Sequence, residues 1–272
     1  MITIGEGEIS TLYLGDTKIK RAYVGNALVF EGEKKPSRLP EGYTELQYIG
    51  NPNLAYIQNF GMTSSYLNSY KMELDIEIMD DTEAGTICGT YNYAYYFPNS
   101  SSSTRVQSAY SNSILYSLSS SSFTLQYSGS STSTGGIKSI KLAAKIGRNK
   151  IFVDSANRKF IVNEDEGDMT ASATPGTKSP VPCLFARNNV TQTATGGTVK
   201  TTYGNGPVNI RFYSLKFYKP TGELYREYVP CRRESDGAVG LFLMETNGFY
   251  TNSGTAVFEA GCSRTRKTLF FP

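Results

Sequence analysis

The chain has 272 residues, room for one large domain or two smaller units, and its formal net charge is only +3. It contains no histidine, which excludes a Ser-His-Asp or Cys-His catalytic unit and a histidine-ligated metal. It also lacks tryptophan, so the indole ring that often stacks on sugars is missing. A charge of +3 is too weak to drive binding to nucleic-acid phosphates without a concentrated basic patch. We expect no nucleic acid, metal or other cofactor as a partner.

The four cysteines, Cys88, Cys183, Cys231 and Cys262, are far apart and form no Cys-x-x-Cys pair. This spacing argues against a zinc site and against a disulfide scaffold, so we expect buried free thiols. Residues 1–8 lack a basic stretch followed by an apolar run, and no segment reaches the ~18–20 apolar residues that span a bilayer. We therefore expect synthesis in a cytoplasm, with neither a secretion signal nor membrane insertion.

The N-terminal thirty residues contain a short internal repeat. Residues 9–16 end in Tyr-Leu-Gly-Asp, and residues 19–26 end in Tyr-Val-Gly-Asn. Gly-Asp and Gly-Asn are turn pairs, and the segments between them are rich in Ile, Val, Leu and Tyr, so the pattern predicts a three-stranded β meander. Such a ribbon buries little apolar surface alone. We assign residues 1–31 as an anchoring module; the alternative is a plain β extension of the next domain.

Residues 32–40 are charged, contain two prolines and have no hydrophobic pattern, which predicts a linker. Residues 41–261 then show short strand patterns separated by turns, which predict an all-β sandwich or barrel. The strands are expected at residues 70–78, 137–143, 150–154, 159–162, 208–218, 224–230 and 239–243. The Ser-rich segment 99–136 is predicted to form strands with polar faces, and the Thr/Gly-rich segment 191–206 a long loop. Residues 262–272 form a basic, then apolar, tail.

Residues 70–78 alternate strictly, so Met72, Leu74, Ile76 and Ile78 lie on one face of the predicted strand. Three carboxylates, Glu73, Asp75 and Glu77, project from the other face. Retaining glycosidases on jelly-roll folds use such a Glu-x-Asp-x-Glu row, with one carboxylate as nucleophile and another as acid/base. The residues that follow do not continue the glucanase pattern, so we favour an exposed polar face.

A tyrosine-rich segment supplies the candidate ligand-binding residues. Tyrosine presents an apolar ring and a polar hydroxyl, which suits stacking on sugars, and nearby amides add hydrogen bonds. The alternative is a strand whose tyrosines fill the rim of the sandwich. The candidates are Tyr91, Asn92, Tyr93, Tyr95 and Asn99.

Two basic clusters and one acidic stretch remain. The basic residues are expected to face an acidic partner or to be an ordinary solvated rim; they are Arg226 with Arg232 and Arg233, and Arg264 with Arg266 and Lys267. The acidic stretch 164–168 has the oxygen ligands that Ca²⁺ uses, but it does not match the EF-hand spacing. We therefore predict no metal site there.

Several segments carry a resemblance to a known family. Residues 39–49 (LPEGYTELQYI) resemble the opening of the concanavalin A-like lectin/glucanase, or laminin-G-like, domains of bacteriophage virion proteins. The family's order and spacing continue over about residues 39–261, in the segments IRFYSLKFY at 210–218, VPCRR at 229–233, SDGAVGL at 235–241 and GFYTNSGT at 248–255. Residues 51–57 (NPNLAYI) replace the usual Ser-Thr-Gly-Thr-Gln-Tyr-Ile run, so the opening loop differs. The N-terminal repeat is similar to short β modules of phage structural proteins.

The resemblance implies a two-sheet antiparallel jelly-roll sandwich and a place on a virion that assembles in the host cytoplasm. It also implies a fibre, baseplate or capsid appendage that displays a lectin-like domain for host-surface carbohydrate, with contacts to other virion proteins through residues 1–31. By the same analogy we expect a homo-oligomer and weak, multivalent attachment. No catalytic residues transfer, and we expect no enzyme activity. The alternatives are a purely structural decoration protein and a glycan-cleaving enzyme that uses Glu73, Asp75 and Glu77.

Overall fold

The fold consists almost entirely of β-strands. The computed structural model describes residues 12–14, 17–19, 21–24, 27–31, 38–51, 55–63, 66–80, 84–96, 106–128, 137–170, 182–192, 200–204, 209–254 and 256–261. The predicted all-β sandwich of two sheets is confirmed. Residues 32–37 of the predicted linker and the tail 262–272 lie outside the described residues.

The N-terminal module differs in detail from the predicted three-stranded meander. It has four short strands, β1 (Leu12–Leu14), β2 (Thr17–Ile19), β3 (Arg21–Val24) and β4 (Ala27–Glu31). They form two separate antiparallel pairs, β1 with β2 and β3 with β4. Leu14 stands opposite Thr17, and Val24 stands opposite Ala27, so each pair consists of two strands that are consecutive in the chain.

The sandwich strands follow in chain order. They are β5 (Tyr43–Glu45), β6 (Ile49–Asn51), β7 (Ile57–Gln58), β8 (Lys71–Ile78), β9 (Gly85–Tyr96), β10 (Val106–Ser117), β11 (Ser122–Ser128), β12 (Ile137–Ala143), β13 (Gly147–Asp154), β14 (Lys159–Val162), β15 (Asp165–Asp168), β16 (Cys183–Leu184), β17 (Arg187–Gln192), β18 (Lys200–Gly204), β19 (Ile210–Tyr218), β20 (Leu224–Arg233), β21 (Val239–Leu243), β22 (Gly248–Thr251) and β23 (Glu259–Ala260). One short helix, α1 (Tyr66–Ser69), precedes β8, and a 3₁₀ turn at Leu118–Ser120 joins β10 to β11.

The larger sheet has the order β15-β14-β13-β8-β19-β20-β21-β22, with β5 beside β20, β6 beside β19 and β23 beside β6. The smaller sheet has the order β12-β11-β10-β9-β16-β7, and the β17–β18 pair joins it at β9. All described pairings are antiparallel except that of β17 with β9. The loop predicted over residues 191–206 is therefore wrong at both ends, where Thr-rich residues extend β17 and form β18.

A single large hydrophobic cluster lies between the two sheets. Strand β8 contributes Met72, Leu74, Ile76 and Ile78, all buried as the alternation predicts. The Ser-rich strands β10 and β11 contribute five large residues to the same core, namely Ile114, Tyr116, Phe123, Leu125 and Tyr127. The hydroxyl of Tyr66 in α1 donates to the carbonyl oxygen of Asn112 at 2.9 Å, which ties the helix to β10.

Strand β19 contains a one-residue bulge that sets the outer surface of the larger sheet. Phe212 pairs with Ile76 and Ser214 pairs with Asp75, so Tyr213 is the extra residue. The bulge is visible in the sequence, because the inward positions shift from even numbers (Ile210, Phe212) to odd numbers (Leu215, Phe217). As a result Tyr213 lies on the outer side, beside the carboxylate row.

The end of the predicted linker packs onto the sandwich. Arg38 donates to Glu45 at 2.7 Å and to Glu227 at 2.9 Å. Leu39 is buried in a second apolar cluster with Val229, Cys231 and Phe242. Because Tyr228 faces the main core, this second cluster lies on the opposite side of β20.

Cys88, Cys183 and Cys231 are buried free thiols, as predicted, whereas Cys262 lies outside the described residues. Burial raises the pKa of each of the three to about 12. These thiols are therefore held in the unreactive protonated form.

Asp154 closes the hairpin between β13 and β14. Its carboxylate accepts hydrogen bonds from the backbone and the side chain of Asn157, at 3.1 and 2.8 Å, and Lys71 Nζ lies 3.1 Å away. Burial alone raises the pKa of this carboxyl, but the Asn157 and Lys71 contacts outweigh it, and the pKa falls below the ordinary value of 3.8.

The lowered pKa predicts how Asp154 affects stability across pH. The ionised carboxylate stabilises the fold above the unfolded-state pKa of 3.8, and this contribution disappears as the pH falls through the lower folded-state value. We expect Asp154→Asn to lower the free energy of unfolding at neutral pH by about 1 kcal/mol. The gap to the unmodified chain should narrow below pH 3.8, as measured by urea unfolding. A gap of constant size would contradict this account.

The surroundings of Gly240 and Gly167 predict different costs for adding a methyl group at these two positions. A Cβ at Gly240 would overlap the backbone carbonyl oxygen of Tyr250, whereas at Gly167 it would meet only the tip of Ile140 and, more loosely, Leu142. Backbone within a ladder cannot move aside, but a flexible side chain can. We expect Gly240→Ala to cost more than about 2 kcal/mol of unfolding free energy and Gly167→Ala about 1 kcal/mol or less. Equal costs in urea unfolding would contradict this reasoning.

Candidate functional site

The carboxylate row of β8 lies on the outer face of the larger sheet, opposite the core. Glu73, Asp75 and Glu77 share this face, as the alternation predicts, and each carboxylate is engaged by protein donors. Because β8 lies between β13 and β19, those donors come from strands on both sides.

Asp75 has the strongest of these contacts. Arg148 on β13 donates from Nε and Nη2 to the two carboxylate oxygens, at 2.8 and 2.9 Å. This fork-to-fork geometry is the specific arrangement of an arginine–carboxylate pair. The Asp75 side chain is 11% exposed and that of Arg148 is 52% exposed. The hydrogen bonds that Arg148 donates to Asp75 raise the pKa of Arg148.

Glu77 and Glu73 are bound by tyrosine hydroxyls. Tyr213, the bulged residue, donates to Glu77 at 2.6 Å, and Tyr218 donates to Glu73 at 3.1 Å. Arg211 also donates to Glu77, at 3.4 Å. Burial, together with the adjacent carboxylate, raises the pKa of both tyrosines to about 12.

Two guanidinium groups cover the aromatic rings of this surface. The guanidinium of Arg148 lies 3.9 Å from the centre of the Tyr213 ring, and that of Arg211 lies 4.5 Å from the centre of the Tyr48 ring. The two rings are themselves 5.7 Å apart. We call Tyr48, Glu77, Arg148, Arg211 and Tyr213 the outer-face cluster.

The charged and polar groups of this surface bind one another. A retaining glycosidase needs two carboxyl groups about 5–5.5 Å apart, one of them able to donate a proton. Here Asp75 is bound at both oxygens by Arg148, and Glu77 accepts from Tyr213 and Arg211. The row can therefore hold neighbouring strands in register through ion pairs and cation–aromatic contacts.

Four of the five candidate ligand residues, all except Asn99, lie on β9 in the smaller sheet. Tyr91 stands opposite Ser111 of β10, Asn92 opposite Tyr110, Tyr93 opposite Ala109 and Tyr95 opposite Gln107. Since alternate positions of a strand belong to opposite faces, position 92 does not share a face with positions 91, 93 and 95. The side chains of these residues, and all of Asn99, lie outside what the structure describes.

The sheet next to these tyrosine positions contains a group of small polar residues, and Ser111, Ser113 and Thr90 among them are buried. Ser111 Oγ donates to Gln126 Oε1 at 3.3 Å and contacts Ser113 Oγ at 3.3 Å, while Ser113 Oγ donates to the carbonyl oxygen of Thr90 at 2.9 Å. Paired residues of neighbouring strands share a face, so position 91 belongs with Ser111. The tyrosine positions therefore adjoin a group of buried hydroxyls that bond to one another and to the backbone of the sheet.

The basic residues of β20 do not form one cluster. Arg226 donates to the carbonyl oxygen of Gly61, and Arg233 pairs with Asp236 at 2.6 Å. At ~3.3 Å per residue, the six or seven positions between Arg226 and the Arg232–Arg233 pair correspond to about 20 Å. Arg264, Arg266 and Lys267 lie outside the described residues.

The acidic stretch is a strand, not a loop. Residues 165–168 form β15, an edge strand that pairs with β14. Lys159 lies across from this strand and forms ion pairs with Glu166 and Asp168. Within the described part of the chain, no group of three or more His, Cys, Asp or Glu residues is placed to hold a metal ion. Among the same residues, no helix has the length and apolar character needed to cross a membrane.

The sequence analysis did not single out Tyr48, Arg148, Arg211 or Tyr213. Arg148 and Arg211 stand opposite Glu77 on the two strands that flank β8. The sequence of β19 does contain a signal for Tyr213, because the apolar positions shift from even to odd numbers at the bulge and leave Tyr213 on the outer side. Finding the two arginines also needed the strand order.

No protein-family model matches the chain, and a search of curated proteins finds no significant match. The function is therefore inferred from the residues and their geometry.

The Asp75–Arg148 pair predicts a stability effect with a matched control. Arg148→Ala leaves a nearly buried carboxylate without its bidentate partner, so we expect a loss of about 1–3 kcal/mol of unfolding free energy. Lys219 pairs with Glu223 at 2.9 Å on an exposed turn, so Lys219→Ala should change the free energy by less than about 0.5 kcal/mol. Equal effects of the two substitutions in urea unfolding would show that the outer-face pair does not stabilise the sheet.

Proposed function

We propose that this protein is a structural component of a bacteriophage virion, a head- or tail-attached fibre or appendage, and that its sandwich attaches the particle to host-surface carbohydrate. The observation that carries the proposal is where the family-like segments lie. They fall on β5, β6 and β19 to β22, which are consecutive neighbours in the larger sheet. Segments spread over the chain thus form one continuous part of the fold.

The state of the carboxylate row supports binding over hydrolysis. Glu73, Asp75 and Glu77 accept hydrogen bonds from Tyr218, Arg148 and Tyr213 respectively. These contacts join each carboxylate to a neighbouring strand, which supports a structural role for the row. A glycan-cleaving role for Glu73 would instead require turnover of host polysaccharide that Glu73→Gln abolishes.

We assign the carbohydrate contact to the tyrosine positions Tyr91, Tyr93 and Tyr95 of β9, and Asn92 and Asn99 remain candidates from the sequence. The alternation of the strand supports this assignment, because positions 91, 93 and 95 belong to one face of β9 and tyrosine suits contact with a polyhydroxylated ligand. Each site would be weak, and many copies on one particle would raise the avidity. Residues 1–31 would anchor the protein, as a homo-oligomer, to other virion proteins.

A second candidate function is structural decoration of the capsid or tail without glycan binding. The outer-face cluster favours it in one respect, because guanidinium groups cover the rings of Tyr48 and Tyr213. Those rings are then not available to stack on a sugar. Carbohydrate attachment requires an exposed aromatic surface elsewhere on the assembled particle, whereas structural decoration does not.

Binding of the full chain to intact host bacteria tests the proposal. The chain is fluorescently labelled, multimerised on beads to supply avidity, and added with or without the purified capsular polysaccharide of that host. We expect saturable binding that the polysaccharide abolishes. Tyr93→Ala with Tyr95→Ala should reduce this binding by more than about tenfold, because each copy loses two stacking rings.

Lys219→Ala, which changes an exposed residue on the other sheet, serves as the control and should bind like the unmodified chain. No binding by the multimerised protein would contradict the attachment function and favour decoration. Binding that survives the paired tyrosine substitution would contradict the assignment to β9.

A further inference from the structure

The closest tyrosine pair in the described part of the chain is Tyr70 with Tyr225. Their ring centres are 4.4 Å apart and the ring planes differ by only 4°. Tyr70 lies between α1 and β8, and Tyr225 lies near the beginning of β20. Both tyrosine side chains are half-buried. Leu224, which immediately precedes Tyr225 in the chain, is 42% exposed.

The surroundings hold the two rings in this position. The edge of Phe217 packs against Tyr70, with ring centres 6.4 Å apart, and anchors it to the core. On Tyr225, the guanidinium of Arg226 lies 5.1 Å from the ring centre. Nearly parallel rings whose centres are 4.4 Å apart are in van der Waals contact, so carbons of one ring lie beside carbons of the other.

From this geometry we propose that Tyr70 and Tyr225 form a site of oxidative modification, at which one-electron oxidation joins the two rings as an intrachain dityrosine. The oxidant class is a haem peroxidase with hydrogen peroxide. The proposal does not depend on the function proposed above.

The reaction removes two electrons and two protons from the two side chains. Each phenol loses one electron and its hydroxyl proton and becomes a phenoxyl radical with spin density on the carbons beside the oxygen. One carbon–carbon bond forms between two such carbons, and the hydrogen on each of them then moves to a phenolic oxygen, which restores both aromatic rings. The two electrons and two protons reduce one hydrogen peroxide to two waters. The product is lighter than the starting chain by two hydrogen atoms.

Proximity makes this pair selective among the tyrosines of the described residues. The pair Tyr48–Tyr213 is 5.7 Å apart and tilted by 57°, and Tyr228–Tyr250 is 6.1 Å apart and tilted by 56°. Tyr228 is also fully buried, away from an oxidant. A pair already held in contact reacts as an intramolecular pair, which favours it by well over about tenfold.

The consequence is a covalent link between the start of β8 and the start of β20. The three described cysteines are buried free thiols, so none of them supplies a disulfide. A link between residues so far apart in the chain restricts the unfolded state and should raise the urea midpoint of unfolding. Oxidation would therefore strengthen the sandwich after folding.

The test oxidises the full chain at low concentration with a haem peroxidase and a single equivalent of hydrogen peroxide. We expect dityrosine fluorescence from monomeric protein, a mass lower by two hydrogen atoms, and a cross-linked peptide pair that contains Tyr70 and Tyr225. Tyr70→Phe and Tyr225→Phe each keep the ring but should lower the intrachain signal by more than about tenfold.

Tyr48→Phe is the matched control, because Tyr48 also belongs to a close tyrosine pair, and it should leave the signal unchanged. A cross-link that maps to other tyrosines, or a product formed only between chains, would overturn the proposal. Undiminished signal in Tyr70→Phe would do so as well. If a phenylalanine variant fails to fold, the peptide map of the unmodified chain decides alone.

Discussion

The larger sheet is built around strand β8, whose two faces have different requirements. Its inner face supplies four apolar side chains to the core, and its outer face carries three carboxylates that need donors. Both flanking strands must therefore keep a register that fills the core and delivers donors at once. Strand β19 meets both demands through the bulge at Tyr213, which changes the phase of the strand between Phe212 and Leu215.

This constraint also separates the two surfaces on which function was considered. On the larger sheet, the carboxylates are occupied by Arg148, Arg211 and tyrosine hydroxyls, so the outer-face cluster holds strands together. On the smaller sheet, the buried hydroxyls of Ser111 and Ser113 bond to near neighbours, and the tyrosine positions of β9 lie alongside. We therefore attribute a stabilising role to the first surface and the proposed attachment role to the second.

Much of the fold could be predicted from the sequence, because the strand signal is a local alternation that each segment carries by itself. The strands at 137–143, 159–162 and 239–243 begin and end where the pattern predicts. Segment 191–206 was expected to be a loop, because its low complexity masks the strand preference of threonine. The outer-face cluster could not be predicted, because Arg148, Glu77 and Arg211 lie on three different strands. Only the order of those strands in the sheet makes the three residues neighbours.

The proposed function requires that the protein is displayed on a virion. The most direct measurement is immunogold electron microscopy of phage particles purified from the lysate in which the chain is produced, with antibodies raised against the full chain. The account predicts gold at one defined location on intact particles, and the chain in the mass spectrum of those particles. Particles that carry no label, with the chain confined to the particle-free lysate, would contradict it.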